Sequence, residues 1–245
     1  MTSSDLWDAD DAARYDVAVA AMFEPQVLDP TVDLLAELAG PGPVLEFAIG
    51  TGRVAIPLAA RGLSVTGLEY SQPMIDRLHE KAPDLPVVHG DMATTRVPGE
   101  FALVYLVFNT IGNLRTQAEQ VQCFRNAARH LLPGGRFVVE VGVPSLRRLP
   151  PGQAAVPFDL SERHLGFDTY DLVTQQAISH HFTRQADGSY RRGTHNFRCV
   201  WPSELDLMAQ LAGMELESRY AGWSREPFTG ESESTYRSGG SRCEA

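Results

Sequence analysis

Between Pro43 and Val143, short apolar runs alternate with stretches of helical periodicity. VLEF is followed by a helix over residues 52–61, LSVTGLE by one over 71–80, and PVVHGD stands as a third strand. FALVYLVF is followed by a helix over 116–132, and RFVVEV closes the series. Strands that alternate with helices and are apolar on both faces predict a parallel sheet covered on both sides. Ahead of the first strand, Ala12, Tyr15, Val17, Ala20 and Met22 recur at near-helical spacing over residues 8–23, and residues 31–39 read as a second helix closed by Gly40-Pro41.

Several boundaries follow from local chemistry. Thr116 with Glu119 three residues later is a capping box, after which Val121, Phe124, Ala128 and Leu131 form one apolar stripe until Pro133-Gly134-Gly135 stops the helix. Pro57 removes a backbone bond from the helix after Gly52, which should therefore start late or bend. Beyond Val143 a proline-rich connection (Pro144, Pro150, Pro151, Pro157) leads into strand-like alternation over 168–200, with Asp187-Gly188 as a two-residue hairpin turn. Residues 202–212 predict a helix ended by Gly213, residues 214–220 a strand, and the polar tail from Ser232 a loose end with at most a last strand. The expected organisation is one domain over 1–245: N-terminal helices in 1–40, a strand–helix core in 41–143, a β-rich cover in 144–201, and a C-terminal helix and strands in 202–245.

Composition narrows the function classes. With 245 residues and 43% hydrophobic side chains the chain can fill a core unaided. A net charge of -10 repels phosphate backbones, and Arg147-Arg148 and Arg191-Arg192 form no basic stripe, so no nucleic-acid partner is expected. Cys123, Cys199 and Cys243 are widely separated and lack metal-ligand spacing, which suits a reducing compartment and a cytoplasmic location. The start is acidic without an apolar leader, and the run from Phe101 to Phe108 is too short to cross a bilayer, so neither export nor membrane anchoring is expected.

Chemistry concentrates at the strand ends. A glycine-rich turn between strand and helix lets backbone N–H groups approach a ligand. Taken alone, Gly50-Thr51-Gly52-Arg53-Val54-Ala55 matches the G-x-G-x-x-A dinucleotide pattern, with Glu69 near the distance of a ribose-binding acid, which keeps an NAD-dependent oxidoreductase open. Three features favour another ligand. Glu46, inside the first strand, gains nothing beside a pyrophosphate but suits a ligand carrying an ammonium and a sulfonium. Gly90-Asp91-Met92 offers a carboxylate and an apolar side chain to an adenine, and two helices precede the first strand, where they could close over a cofactor.

In order and spacing, VLEFAIGTGRVAIPLAARG, the acidic end of LEYSQPMID, HGDM and VFNTIGNL resemble the successive cofactor motifs of class I S-adenosylmethionine-dependent methyltransferases over residues 8–143. The style is that of bacterial small-molecule members, including aminosugar N-methyltransferases of natural-product pathways. The resemblance implies a Rossmann-like, doubly wound seven-stranded α/β sheet, its last strand antiparallel, with an inserted antiparallel β cover after the fifth strand. It also implies S-adenosyl-L-methionine as cofactor, a small-molecule acceptor, and a monomer or homodimer. By the same resemblance Gly50 and Gly52 meet the methionine portion and Glu46 its cationic groups, Glu69 holds the ribose hydroxyls, and Tyr70 and Met74 flank the adenine. Asp91 accepts from the adenine amino group with Met92 alongside, Phe108 borders the site from the fourth strand, and Tyr15 reaches the cofactor carboxylate or the acceptor. Ala48 departs from the family, which usually has glycine there; alanine fits if its φ is negative. The plainer alternatives are a strand-end ion pair for Glu46, a solvated loop acid for Glu69 and a core tyrosine for Tyr15. A protein that keeps the fold without methyl transfer also stays open.

Methyl transfer from a sulfonium needs alignment and exclusion of water, with a base only where the acceptor must lose a proton. Asn109 beyond the fourth strand and Glu140 near the end of the fifth are candidates to orient or deprotonate an acceptor, with turn capping and an ion pair as alternatives. A two-residue loop at Asp187-Gly188 would set His180 opposite His195 and Ile178 opposite Phe197 on one mostly apolar face, offering a histidine base over an acceptor pocket; packing is the alternative. Two such histidines lack an evident third ligand, so no metal is expected.

Overall fold

The apolar runs form strands of one sheet, all but the third of them interior, in a computed structural model that describes residues 2–144 and 149–241. Cys243 and the pair Arg147-Arg148 lie outside the described residues. Two helices come first, α1 (Ala9–Ala18) and α2 (Pro25–Ala39), joined by a short 3-10 helix at Ala20–Phe23. They are followed by β1 (Val44–Phe47), α3 (Ala55–Ala60), β2 (Val65–Glu69), α4 (Gln72–Lys81), β3 (Val87–His89), β4 (Phe101–Leu106), α5 (Gln117–Ala128) and β5 (Leu131–Gly142). α3 starts late, as Pro57 requires, and the capping box at Thr116 and Glu119 is formed. Ser71 caps α4 through Met74 N–H.

Helix α5 ends at Ala128, four residues short of the expected 132, and Leu131 opens β5 instead. The buried imidazole of His130 is the reason: Nδ1 pairs with Asn126 O at 2.7 Å and Nε2 accepts from Val97 N at 2.8 Å, while His130 O accepts from Phe101 N. The chain is thereby turned into the sheet before Pro133 is reached.

The seven-stranded sheet also takes in β10 (Met214–Tyr220) and β11 (Ser234–Ser241) and runs in the order β10-β11-β5-β4-β1-β2-β3. Strands β1 to β5 pair in parallel, whereas β11 pairs antiparallel with both β5 and β10. The last strand expected in the tail is thus formed by residues 234–241, and it lies inside the sheet rather than at its edge. Its polar residues are buried there, among them Thr235, Arg237 and Ser238, with Arg237 donating to Asp206. Strand order reverses between β1 and β4, and in such sheets a crevice opens at the carboxyl ends of the strands beside the reversal.

After β5, the chain builds a second, antiparallel sheet in the order β6-β7-β8-β9: β6 (Ala155–Leu160), β7 (His164–Tyr170), β8 (Gln176–Arg184) and β9 (Tyr190–Arg198). β6 arises inside the proline-rich connection, where alternation was not legible. α6 (Pro202–Leu211) then returns to the first sheet. Arg198, only 4% exposed, fastens the cover to the core: it donates to Gln120 of α5 and Glu204 of α6, and to Gln175 before β8. Because this cation is buried, removing its anionic partner, Glu204, would leave an uncompensated charge and cost roughly 3–5 kcal/mol. Among the described residues no helix is long and apolar enough to cross a membrane.

Candidate active site

The turn from β1 into α3 holds three left-handed residues, Ala48 at φ 52°, Gly50 at 56° and Gly52 at 85°. A Cβ at Gly50 would meet nothing within 4 Å, so the backbone there faces open space. One at Gly52 would fall 2.9 Å from Ile56 Cδ1. The negative φ expected at Ala48 is not found. A left-handed alanine costs roughly 1–2 kcal/mol, so Ala48→Gly, less the entropy a glycine adds to the unfolded chain, is expected to stabilise the fold by about 0.5–1 kcal/mol. A urea midpoint unchanged or lowered would contradict that.

Glu69 ends β2 next to this turn and is 7% exposed. Its Oε2 accepts from Gly50 N at 2.9 Å and its Oε1 from Ser71 N at 2.8 Å. Burial raises its pKa while those N–H groups oppose the rise. The carboxylate is held rigidly between the glycine turn and the start of α4, with lone pairs left over for a vicinal diol. Asp91, after β3, accepts from Ala93 N through Oδ1. Met74 and Met92 are buried and Tyr70 is exposed.

These groups border a cavity of about 1150 Å³ between the two sheets. Ligand sites commonly run from roughly 300 to 1,000 Å³, so it has room for two molecules. Of the expected cofactor residues, Ala48, Gly50, Glu69, Tyr70 and Met74 line it, and so do Asp91, Met92, Phe108 and Tyr15. Gly52 and Glu46 are not part of the lining. Glu46 lies under the turn, 4% exposed, accepting from the Tyr105 hydroxyl at 2.6 Å, and burial pushes its pKa up to about 8.

α1 roofs the cavity. Asp16 accepts from Thr51 Oγ1 and from Lys81 Nζ, and Ser71 Oγ donates to Trp7 O at 2.6 Å. Trp7 meets Tyr15 edge-on at 5.3 Å, and burial raises the Tyr15 pKa. Arg53, on the loop, stacks its guanidinium over the Phe108 ring at 4.9 Å.

The expected catalytic residues divide. Asn109 lines the cavity in a left-handed conformation, its Oδ1 accepting from Gly142 N. Glu140 does not line it: Oε2 accepts from Phe108 N at 2.6 Å and Oε1 from Trp223 Nε1 at 3.0 Å. Its carboxylate braces the end of β4 and is spent on that. Trp223 in turn stacks on Tyr236.

The histidine face is corrected by one residue. β8 and β9 are joined by a three-residue loop, Ala186-Asp187-Gly188, in which Gln185 N–H bonds Ser189 O and Gly188 N–H bonds Gln185 O. Gly188 alone is left-handed here, as in a type I turn with a following bulge; a two-residue type I′ turn would need Asp187 left-handed as well. The register therefore pairs His180 with Thr194 and Ser179 with His195. A slip of one residue exchanges the faces of a strand. His195 stays in the cavity wall, but His180 turns away, stacks on Phe167 at 4.8 Å and meets Thr169 Oγ1. His181 takes its place in the lining, with His164, Asp168 and Ser179. The correct loop length would have exposed His181 in the sequence, whereas Asp168 carried no local signal. His195 Nε2 lies 3.1 Å from Asn113 Oδ1, and burial lowers its pKa. Among the described residues no group of three or more His, Cys, Asp or Glu is arranged to hold a metal ion.

A family model described as a methyltransferase domain matches residues 44–135. The CcbJ methyltransferase of Streptomyces caelestis is 33% identical and superposes at a TM-score of 0.85, over 99% of this chain and 99% of that one. The cypemycin N-terminal methyltransferase of a Streptomyces species is 27% identical over 238 residues, 86% of this chain and 96% of that enzyme. A dTDP-3-amino-3,6-dideoxy-alpha-D-glucopyranose N,N-dimethyltransferase of Streptomyces fradiae is 37% identical over 97 residues, 40% of this chain and 38% of that enzyme.

Proposed function

The chain belongs to the class I S-adenosylmethionine-dependent methyltransferases, and on that premise we propose that it methylates an amine nitrogen of a small-molecule acceptor held under the β cover. The dinucleotide alternative falls with the family assignment. S-adenosylmethionine, when bound, supplies a methyl group made electrophilic by its sulfonium. In this reading Glu69 takes the ribose hydroxyls, Asp91 the adenine amino group, Met74, Met92 and Tyr70 the adenine surroundings, and the backbone at Gly50 the methionine portion. Arg53 and Tyr15 are assigned to the methionine carboxylate, while Glu46, buried beneath the turn and outside the cavity lining, supports the turn from below.

The observation that carries the choice of nitrogen is Asp168. It lies in the cavity wall opposite the cofactor turn, accepting from Ser179 Oγ at 2.6 Å and from Tyr170 OH at 3.2 Å. A carboxylate in an acceptor pocket attracts an ammonium and repels a carboxylic acid. Two relatives support nitrogen by name, one an N-terminal methyltransferase and one an N,N-dimethyltransferase of an amino sugar. The net charge of -10 sets nucleic acid aside, and two free cysteines among the described residues agree with a reducing, cytoplasmic setting for a monomer or homodimer.

An acceptor screen with methyl-labelled S-adenosylmethionine, spanning amino-sugar nucleotides, peptide amines, alcohols and carboxylic acids, tests the reading. Label is expected on nitrogen. Loss of a charged hydrogen bond is worth about 1.5–3 kcal/mol, so Asp168→Asn should raise the acceptor KM roughly 10- to 150-fold with S-adenosylhomocysteine affinity unchanged. Label on oxygen, or an unaltered acceptor KM, would overturn it.

A further inference from the structure

In the cover three side chains join across three adjacent strands. Asp159 Oδ2 on β6 lies 2.7 Å from His164 Nδ1 on β7, and His164 Nε2 lies 3.0 Å from His181 Nδ1 on β8. Asp159 is on the outer side of the chain, its side chain 38% exposed, and His181 is on the cavity side. Room for the line of rings is made by Gly166, where a Cβ would fall 2.2 Å from Phe158 Cε2 and 3.0 Å from His164 Cε1. Phe158 in turn lies against both imidazoles, 6.1 Å from His164 and 5.3 Å from His181.

We propose that Asp159 and His164 set the tautomer of His181 so that its Nε2 is the base that takes the proton from the acceptor amine. The inference rests on the N-methylation reading for the identity of the acceptor, but its proton positions do not. A carboxylate only accepts, so in the neutral form His164 carries its one proton on Nδ1 and presents an unprotonated Nε2. His181 Nδ1 must then be the donor to it. That leaves the lone pair of the neutral His181 ring on Nε2, which has no hydrogen-bond partner among the described residues.

A protonated amine has no lone pair with which to attack. The ammonium gives one proton to His181 Nε2, and the electrons of the broken N–H bond remain on nitrogen. That pair forms the new N–C bond as the methyl–sulfur bond breaks with its electrons going to sulfur. The imidazolium keeps its Nδ1–H on His164, with the Asp159 carboxylate offsetting the charge, and releases the proton to water after the product leaves. Asp168, two residues from Gly166 on β7 and opposite Ser179, lies near enough to hold the same ammonium. Burial and the neighbouring His164 lower the His181 pKa, which keeps the ring neutral in the resting protein. The charged and titratable groups around it are Asp159 on β6, His164 and Asp168 on β7, His180 beside it on β8, and Arg191 and His195 on β9.

Nitrogen-15 NMR of histidine-labelled protein reads the tautomers directly, without an acceptor. His181 and His164 are both expected as Nδ1–H forms, and Asp159→Asn is expected to disturb both, since an amide can donate to His164 Nδ1 and invert the chain. His181 found protonated at Nε2 in the unaltered protein would overturn the inference. With an amine acceptor from the screen, His181→Gln should lower kcat about 10²- to 10⁴-fold, while S-adenosylhomocysteine affinity stays unchanged and so reports intact folding. Asp159→Asn should lower kcat about tenfold and move the acid limb of the pH–rate profile to lower pH, because loss of the carboxylate weakens the base. Unaltered kcat and pH profile in Asp159→Asn would equally overturn it. If the tautomers hold and label appears only on oxygen, the choice of acceptor is wrong and the histidine chain stands.

Discussion

Replacing Glu69 by alanine is expected to weaken binding of S-adenosylhomocysteine by about 1–3 kcal/mol, roughly 5- to 150-fold, in a calorimetric titration. Two losses combine. The carboxylate no longer offers acceptors to a ribose diol, and the N–H groups of Gly50 and Ser71, 2.9 and 2.8 Å from its oxygens, lose the partner that holds the turn to the start of α4. Glu69→Gln separates the two, since its amide can still accept from one N–H group while its NH₂ faces the other. It should bind with intermediate affinity. If the alanine variant, shown folded by its thermal transition, binds as tightly as the unaltered protein, Glu69 is not a cofactor residue.

The second large effect concerns Glu46 and pH. Its pKa is pushed up from an ordinary glutamate value to about 8, chiefly by burial. A proton on Glu46 is therefore favoured by folding. The stability this gives is fully present below the unfolded pKa near 4.5 and is lost as pH rises towards and through about 8. At about 1.4 kcal/mol per unit the whole window is worth on the order of 4–5 kcal/mol. Glu46→Gln keeps an acceptor for the Tyr105 hydroxyl and cannot ionise. Urea unfolding at pH 6 and pH 9 should show the unaltered protein losing about 2.7 kcal/mol more than the variant between them. Equal losses would mean Glu46 titrates normally. If the cofactor's ammonium comes to rest against this side chain, it lowers the Glu46 pKa, and binding near neutral pH releases a proton that titrations in buffers of different ionisation enthalpy would detect.

Much of the scaffold was legible because it follows from local rules. The apolar runs of β1, β2 and β4 are buried as a doubly wound sheet demands, Thr116 and Glu119 cap α5, and Pro57 delays α3. The acids closing the early strands were legible too, since Glu69 and Asp91 both reach the cavity. What escaped was decided by single residues or by distant contacts. His130 ends α5 through bonds to Val97 and Phe101, which no helical pattern contains. One extra residue in the loop at Ala186 exchanged His180 for His181, because a period of two has no tolerance for a miscounted turn. Ala48 takes a backbone conformation that its side chain disfavours, held there by the turn around it. β11 is polar in sequence because its partners, Asp206 among them, come from elsewhere in the fold.

The position of β11 also bears on how the protein is made. β5 and β10 each use the same strand as a neighbour, and that strand is Ser234–Ser241. During vectorial synthesis the parallel half of the sheet, the whole cover and α6 emerge before β11, leaving the free edge of β5 without its partner until Ser234–Ser241 has been made. Open strand edges are templates for pairing with other chains. A chain stopped between the cover and β11 would thus carry every cavity-lining group, yet expose an unfinished edge and tend to aggregate.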